Sequence, residues 1–314
     1  MSMFKKLFGA SFEASQNITP NVFSEERPIM YSLGEYDSTK VFSKVKVLVG
    51  VVFFSLMMSI FGIFLPESIP TLPVSERSLE YITQEMIQSV GYFVFVKYIL
   101  VPVLFMFCLL AVLNLFPKKD IARQRLFGLS NMILLSLALI LILMPIMLGF
   151  GLGASGVLGF SIMSITGIVF VGFEVRRKLG KIIQAFDGEE ITIDWNNWQE
   201  NLDEVFDVGA NACVRTIKIW FAPLVVVIIN LLTLRLGVGE AFSDWNYISI
   251  LLVPLYFAIV ALTICGPLTV YISGFYLTKY AAQYRTLWQI SDEQWYGKRK
   301  ARKMSIQVER MKEK

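Results

Sequence analysis

Between Asp187 and Asp207 the chain carries eight carboxylates: Asp187, Glu189, Glu190, Asp194, Glu200, Asp203, Glu204 and Asp207. Carboxylates act as general acids or bases when one of perturbed pKa is set against a substrate, and they hold hard cations when several oxygens converge. The spacing here isolates no pair, and no D-x-D-x-D-G loop is present. The chain also lacks histidine, which excludes His-zinc sites, His-ligated haem and His-based triads. Cys108, Cys213 and Cys265 have no paired spacing, so neither a disulfide nor a CxxC metal site is expected. No catalytic residue, cofactor or metal ligand is assigned. The strip reads as a solvated acidic face.

The elements that carry these charges are amphipathic. Trp195, Trp198, Leu202 and Phe206 recur at three- and four-residue intervals, which predicts a helix with Asp194 or Asn197 as its N-cap. Tryptophan favours the membrane interface, where its ring is apolar and its N–H stays hydrated. A second charged element lies near the C-terminus. Ser291 and Gln294 have capping-box spacing, and Lys298, Arg299, Lys300, Arg302 and Lys303 follow. A basic residue beside an anionic leaflet contributes about 1 kcal/mol. These nine residues are the candidate partner or leaflet contacts, and no nucleic-acid module accompanies them. At the N-terminus, Phe4, Leu7, Phe8 and Phe12 share a helical face beside Lys5 and Lys6, the pattern of a short interfacial helix.

The rest of the chain is apolar. Of its 314 residues 55% are hydrophobic and 17% charged, and its mean hydropathy is +0.59. Crossing a hydrocarbon core takes about 18 or more apolar residues. Blocks of that kind occur at about 44–65, 91–116, 127–148, 155–173, 217–237 and 247–277. The expected fold is therefore all-α: a polytopic transmembrane bundle of six spans, with a tail to residue 43, a connector at 174–216 and a basic tail from 278. Lys and Arg mark the cytoplasmic side. The two tails, the 117–126 loop and the 174–216 connector, counted with the lysines that flank the first and fifth spans, hold six, ten, four and six of them. The opposite side has only Arg77 and Arg235, with Lys97 at the outer end of the second span. Both termini are therefore expected in the cytoplasm.

Several details concern packing. Met86 and Val90 continue a helical repeat that leads into the second span. Gly149 and Gly153 have the small-xxx-small spacing of closely packed helices, in a "GFGLGASG" stretch read as the turn between spans three and four. The last block exceeds the core thickness, and Pro254 and the Gly266-Pro267 pair offer break points, so tilt, a kink or an interfacial continuation must absorb the surplus. With Asn230, a strongly polar residue deep in the fifth block, these positions form the candidate intramembrane set.

"GFEVRR", "DGEE", "DWNNW" and "VFDVG" together resemble a family of uncharacterised multi-pass membrane proteins of archaea and bacteria. On that resemblance Gly172, Arg176, Gly188, Glu189, Trp195, Trp198, Phe206 and Gly209 take the motif positions, over about residues 165–285. The family's proline before the first tryptophan is absent, and about four residues are added between Trp198 and Val205. The resemblance implies a membrane topology with a Trp-bearing cytoplasmic connector, and no activity. A second pattern, the ATPase-docking loop of ABC importer permeases, is approached by Asp203, Glu204, Val205, Gly209, Ile219 and Phe221. It lacks that loop's alanines, and Pro223 falls one position late.

The expected function is that of a non-enzymatic membrane subunit or scaffold in a prokaryotic cytoplasmic membrane. It would organise lipid, a protein partner or further copies of itself at the cytoplasmic leaflet, without nucleic acid. The alternative is the membrane domain of a transporter.

Overall fold

The computed structural model describes residues 3–23, 41–71, 84–116, 118, 120–188, 220, 225 and 244–312. Among these the secondary structure is helical, with no strand. Two short helices, α1 (Met3–Phe8) and α2 (Phe12–Gln16), precede α3 (Val41–Ser59). A π-helical turn, Ile60–Phe64, joins α3 to α4 (Leu65–Ser68). Then come α5 (Gln84–Gly91), α6 (Lys97–Asn114) and α7 (Ile121–Phe186). The C-terminal part comprises α8 (Asp244–Cys265), α9 (Leu268–Lys279), α10 (Ala281–Leu287), α11 (Asp292–Tyr296) and α12 (Lys298–Lys312).

Among the described residues, four helical stretches are long and apolar enough to cross a membrane: Lys44–Thr71, Gln84–Asn114, Ile121–Phe186 and Ser249–Lys279. Five of the six apolar blocks fall on them. The block at 217–237 lies outside the described residues except for Trp220 and Val225, both helical. Trp220 is buried and stacks on Phe257 of α8, ring centroids 6.4 Å apart.

At 66 residues, α7 would be about 99 Å long if straight, some three times the hydrocarbon thickness. It is not straight. Gly156 has φ 67° and ψ 172°, a left-handed backbone that a residue with a Cβ adopts only under strain. Contacts with α8 and α9 show the consequence. Before the break, Gly151 packs on Val253 and Leu129 lies against Gly274. After it, Gly167 packs on the Phe257 ring, and the Phe186 ring meets Tyr276 at 5.4 Å. The first arm therefore runs antiparallel to α8 and α9 and the second parallel to them, so α7 is a helical hairpin that reverses at one residue. The reversal was expected to use the whole 149–156 stretch. Instead the helix continues to Ser155, because Gly149 and Gly153 serve as a packing surface. The second arm also runs on to Phe186, well past the expected end near residue 173.

That surface receives α5. A Cβ on Gly149 would lie 2.6 Å from Val90 Cα, and one on Gly153 would lie 2.7 Å from the Met86 nitrogen. The two backbones are in direct contact, which only glycine permits. Met86 and Val90 are buried there, as the helical repeat predicts. At the same end of the bundle Glu67 and Lys97 form an ion pair between α4 and α6.

The last span divides at Gly266-Pro267, where α8 ends and α9 begins. Pro254 stays inside α8, buried between Val253, which fills the Gly151 notch, and Phe257, which fills that of Gly167.

Candidate functional site: the aromatic and basic end face

Opposite the Gly156 tip, both ends of α7 meet α9, α10 and the N-terminal helices. Tyr276, Tyr280 and Tyr284 follow one another at four-residue spacing, which aligns their rings along one side of the chain. All three hold the N-terminal segment. The Tyr276 hydroxyl donates to the Leu7 carbonyl at 2.7 Å and accepts from the Ala10 N–H at 3.0 Å. Tyr280 donates to the Ala10 carbonyl at 2.8 Å, and Lys279 Nζ to that of Phe8 at 3.1 Å. Ser15 spends its single proton on the Phe12 carbonyl, so the Tyr284 hydroxyl, 2.7 Å away, donates to Ser15 Oγ. These bonds satisfy backbone groups that the short helices α1 and α2 leave open at their ends.

Ring contacts complete the clamp. Phe8 meets Phe275 edge-on at 5.1 Å, and Phe12 meets Tyr280 and Tyr284 at 5.7 and 5.0 Å. Leu7, Ile18, Ile182, Phe186, Ile272 and Tyr276 form one buried cluster. The expected face of Phe4, Leu7, Phe8 and Phe12 thus splits. Three of its residues dock on protein, while Phe4 stays 72% exposed.

Burial pushes the Tyr284 phenol up. A phenol raised above its unfolded value, about 10, contributes stability that is complete below that value. The contribution is lost as pH rises through the folded pKa. Ultraviolet difference titration of the wild type against Tyr284→Phe is therefore expected to place the ionisation of Tyr284 late, coincident with release of the N-terminal segment.

Beyond Tyr284 the chain turns sharply. The Ile290 N–H bonds the Arg285 carbonyl and the Gln289 N–H that of Thr286, the pair that closes a helix in a Schellman motif. Gln289 has φ 51°, where glycine is the unstrained choice. Gln289→Gly is expected to raise stability by about 1 kcal/mol, read from the thermal midpoint in detergent.

Ser291 then caps α11 in a complete capping box with Gln294, as its spacing indicates. Arg285 pairs with Asp292 and lies over the Tyr296 ring at 5.1 Å. Trp295 is buried, and so is Ala301 at the start of α12. Between these helices and Asp120, the N-cap of α7, lies an open cleft of about 590 Å³ lined by Arg285, Gln289, Trp295 and Tyr296. Its two ionised groups already have partners, Arg285 in Asp292 and Asp120 in Arg123.

The structure brings only some of the candidate residues to this face. Lys298 and Arg299 open α12. Arg302 and Lys303 are exposed, and Lys300 lies over the Tyr296 ring at 5.0 Å. Trp195, Trp198, Leu202, Phe206 and Asn230 lie outside the described residues, as do the carboxylates from Glu189 to Asp207. Asp187 and Gly188 form a turn after α7, with Gly188 at φ 90°. Among the described residues no group of three or more His, Cys, Asp or Glu could hold a metal ion. The tyrosine series was missed, although its four-residue spacing stands in the sequence. Tyrosine near a membrane end is usually an interfacial anchor, and nothing local reveals that its partner is the far end of the chain.

Compared with known proteins, the chain matches no family model, no curated protein and no solved structure.

Proposed function

We propose that this chain is a six-span, non-enzymatic membrane subunit whose N- and C-terminal segments form a cytoplasmic platform for a protein partner and the inner leaflet. The observation that carries this reading is the end face. Residues 3–19 and 268–301 are bound to each other and to both ends of α7. A rigid base thus aims the basic helix α12. The α7 hairpin supplies two crossings from one helix, and the block at 217–237 supplies the sixth. The basic residues of both tails and the connector orient the platform inward. Its partner is acidic, or the anionic leaflet itself.

The deciding experiment is mild solubilisation of native membranes and identification of what co-purifies. The platform reading expects a stoichiometric partner lost on removing residues 298–312, and it fails if the intact chain is recovered alone. A second measurement addresses the leaflet. In nanodiscs with anionic lipid, trypsin is expected to cut α12 about tenfold more slowly than in zwitterionic ones, a difference that salt abolishes.

A transporter membrane domain is the second reading. It is favoured by Glu174, buried in the second arm of α7 and paired with Arg177 at 2.9 Å. Cys265, at the break in the last span, is within electrostatic reach of Glu174, Lys178 and Arg177. Ionisable groups beside a broken helix mark ion or substrate paths in carriers. The apolar enclosure of Pro254 counts against a polar cavity at that level. Stoichiometric recovery of an ATPase would decide for this reading.

A further inference from the structure

We infer that the cleft between α10, α11 and Asp120 binds a neutral, hydroxyl-rich ligand, the sugar headgroup of a glycolipid or a free saccharide, whichever partner the platform recruits. At about 590 Å³ it falls within the roughly 300–1,000 Å³ typical of small-molecule sites. Its wall contains a residue kept in an unfavourable conformation. Gln289 lines the cleft at φ 51°, where glycine would close the helix without strain. Its backbone N–H bonds the Thr286 carbonyl, while the side-chain amide stands exposed and bonds no described residue. A strained position whose side chain adds nothing to the fold points to a ligand for that side chain.

The rest of the lining chooses the chemistry. Asp120 and Arg285 bring one charge of each sign, and each is already offset, by Arg123 at 4.0 Å and by Asp292. Neither an anion nor a cation is therefore preferred. What the lining still offers is neutral hydrogen bonding. Asp120 gives Oδ1 to the Arg123 N–H, which leaves lone pairs on its other oxygen. Arg285 bonds the Tyr296 hydroxyl and Asp292 and keeps further N–H donors. Thr286 donates to the Ala282 carbonyl, so its oxygen is open as an acceptor, and the Gln289 amide both donates and accepts. Mixed donors and acceptors suit groups that do both at once, as sugar hydroxyls do. Depth points to the headgroup source. Asp120 immediately precedes the apolar stretch Ile121–Phe186, and Ala281 and Ala282 follow the one that ends at Lys279. The cleft thus opens where the hydrocarbon level ends.

The test uses the full chain in phosphatidylcholine nanodiscs prepared without sugar-based detergent. One arm offers monoglucosyl diacylglycerol, with retention read by native mass spectrometry; the other offers maltose, read by isothermal titration. One retained glucolipid is expected on the wild type. Gln289→Gly should weaken binding about tenfold while raising the thermal midpoint, so that lost binding is not lost folding. Ala282→Phe, which fills the cleft from an exposed position, should weaken it likewise, and neutralising Arg302 and Lys303 should leave it unchanged. Binding of maltose and not the glucolipid, with the same dependence on Gln289, would assign the site to a free saccharide. The sugar site is refuted if neither probe binds, if Gln289→Gly binds as the wild type does, or if phosphatidylglycerol displaces the glucolipid. The platform reading survives each of these results, since it is decided by the protein that co-purifies.

Discussion

Gly153→Ala is expected to unfold or misassemble the bundle at temperatures the wild type survives, with a loss of about 3 kcal/mol or more. The added methyl would meet main chain, the Met86 nitrogen at 2.7 Å and the Glu85 oxygen at 2.8 Å. A side chain can rotate away from such a clash, whereas the backbone of a helix can yield only by moving the helix. α5 would have to lift off α7, exposing Met86 and Val90. Gly149→Ala meets Val90 Cα at 2.6 Å and should behave alike. Gly172 is the control, since a Cβ there meets nothing within 4 Å. Gly172→Ala is expected to change stability by less than about 0.5 kcal/mol. Thermal unfolding of the detergent-solubilised protein separates the cases. Equal midpoints for Gly153→Ala and Gly172→Ala would disprove the close packing.

The second large effect concerns Tyr276, whose hydroxyl serves Leu7 and Ala10 at once. Tyr276→Phe keeps the ring and its contacts but leaves a carbonyl and an N–H without partners at a buried position. Each orphaned group costs about 1–3 kcal/mol. The hydroxyl bonds only the N-terminal segment, so the loss falls on the docking of that segment and spares the fold of the bundle. Cleavage by trypsin at Lys5 and Lys6 is expected to accelerate 10- to 100-fold while the thermal midpoint moves little. Tyr280→Phe removes one part-buried bond and should accelerate cleavage less. An unchanged rate in Tyr276→Phe would mean that the ladder does not hold the segment.

Much of the architecture was legible. The apolar blocks at 44–65, 91–116 and 247–277 could be placed because a helix in hydrocarbon must be continuously apolar over a fixed length. The Ser291–Gln294 capping box could be read because all its partners lie within four residues. The stripe of Gly149 and Gly153 was readable as packing, but not its partner, since small residues announce close approach without saying to what. The hairpin was placed, and its form was misjudged. A lone glycine at positive φ can reverse a helix, and no pattern distinguishes Gly156 from its glycine neighbours. Of the two break points offered in the last span, the structure uses Gly266-Pro267. Pro254 stays within a continuous helix, whose Val253 and Phe257 fill notches at Gly151 and Gly167 about a hundred residues away.

Composition and periodicity alone determined that this chain is helical and apolar in membrane-length blocks, with its Lys and Arg gathered in the two tails and in the segments between certain blocks. Those properties follow from transfer of side chains and backbone out of water, which each segment undergoes by itself. The tertiary structure decided what the ends of the chain do. Tyr276, Tyr280 and Tyr284 bind residues some 270 positions earlier because the bundle brings both termini to one end. Hydrogen bonds between segments so distant depend on the path of every helix between them, and that path is a property of the packed whole.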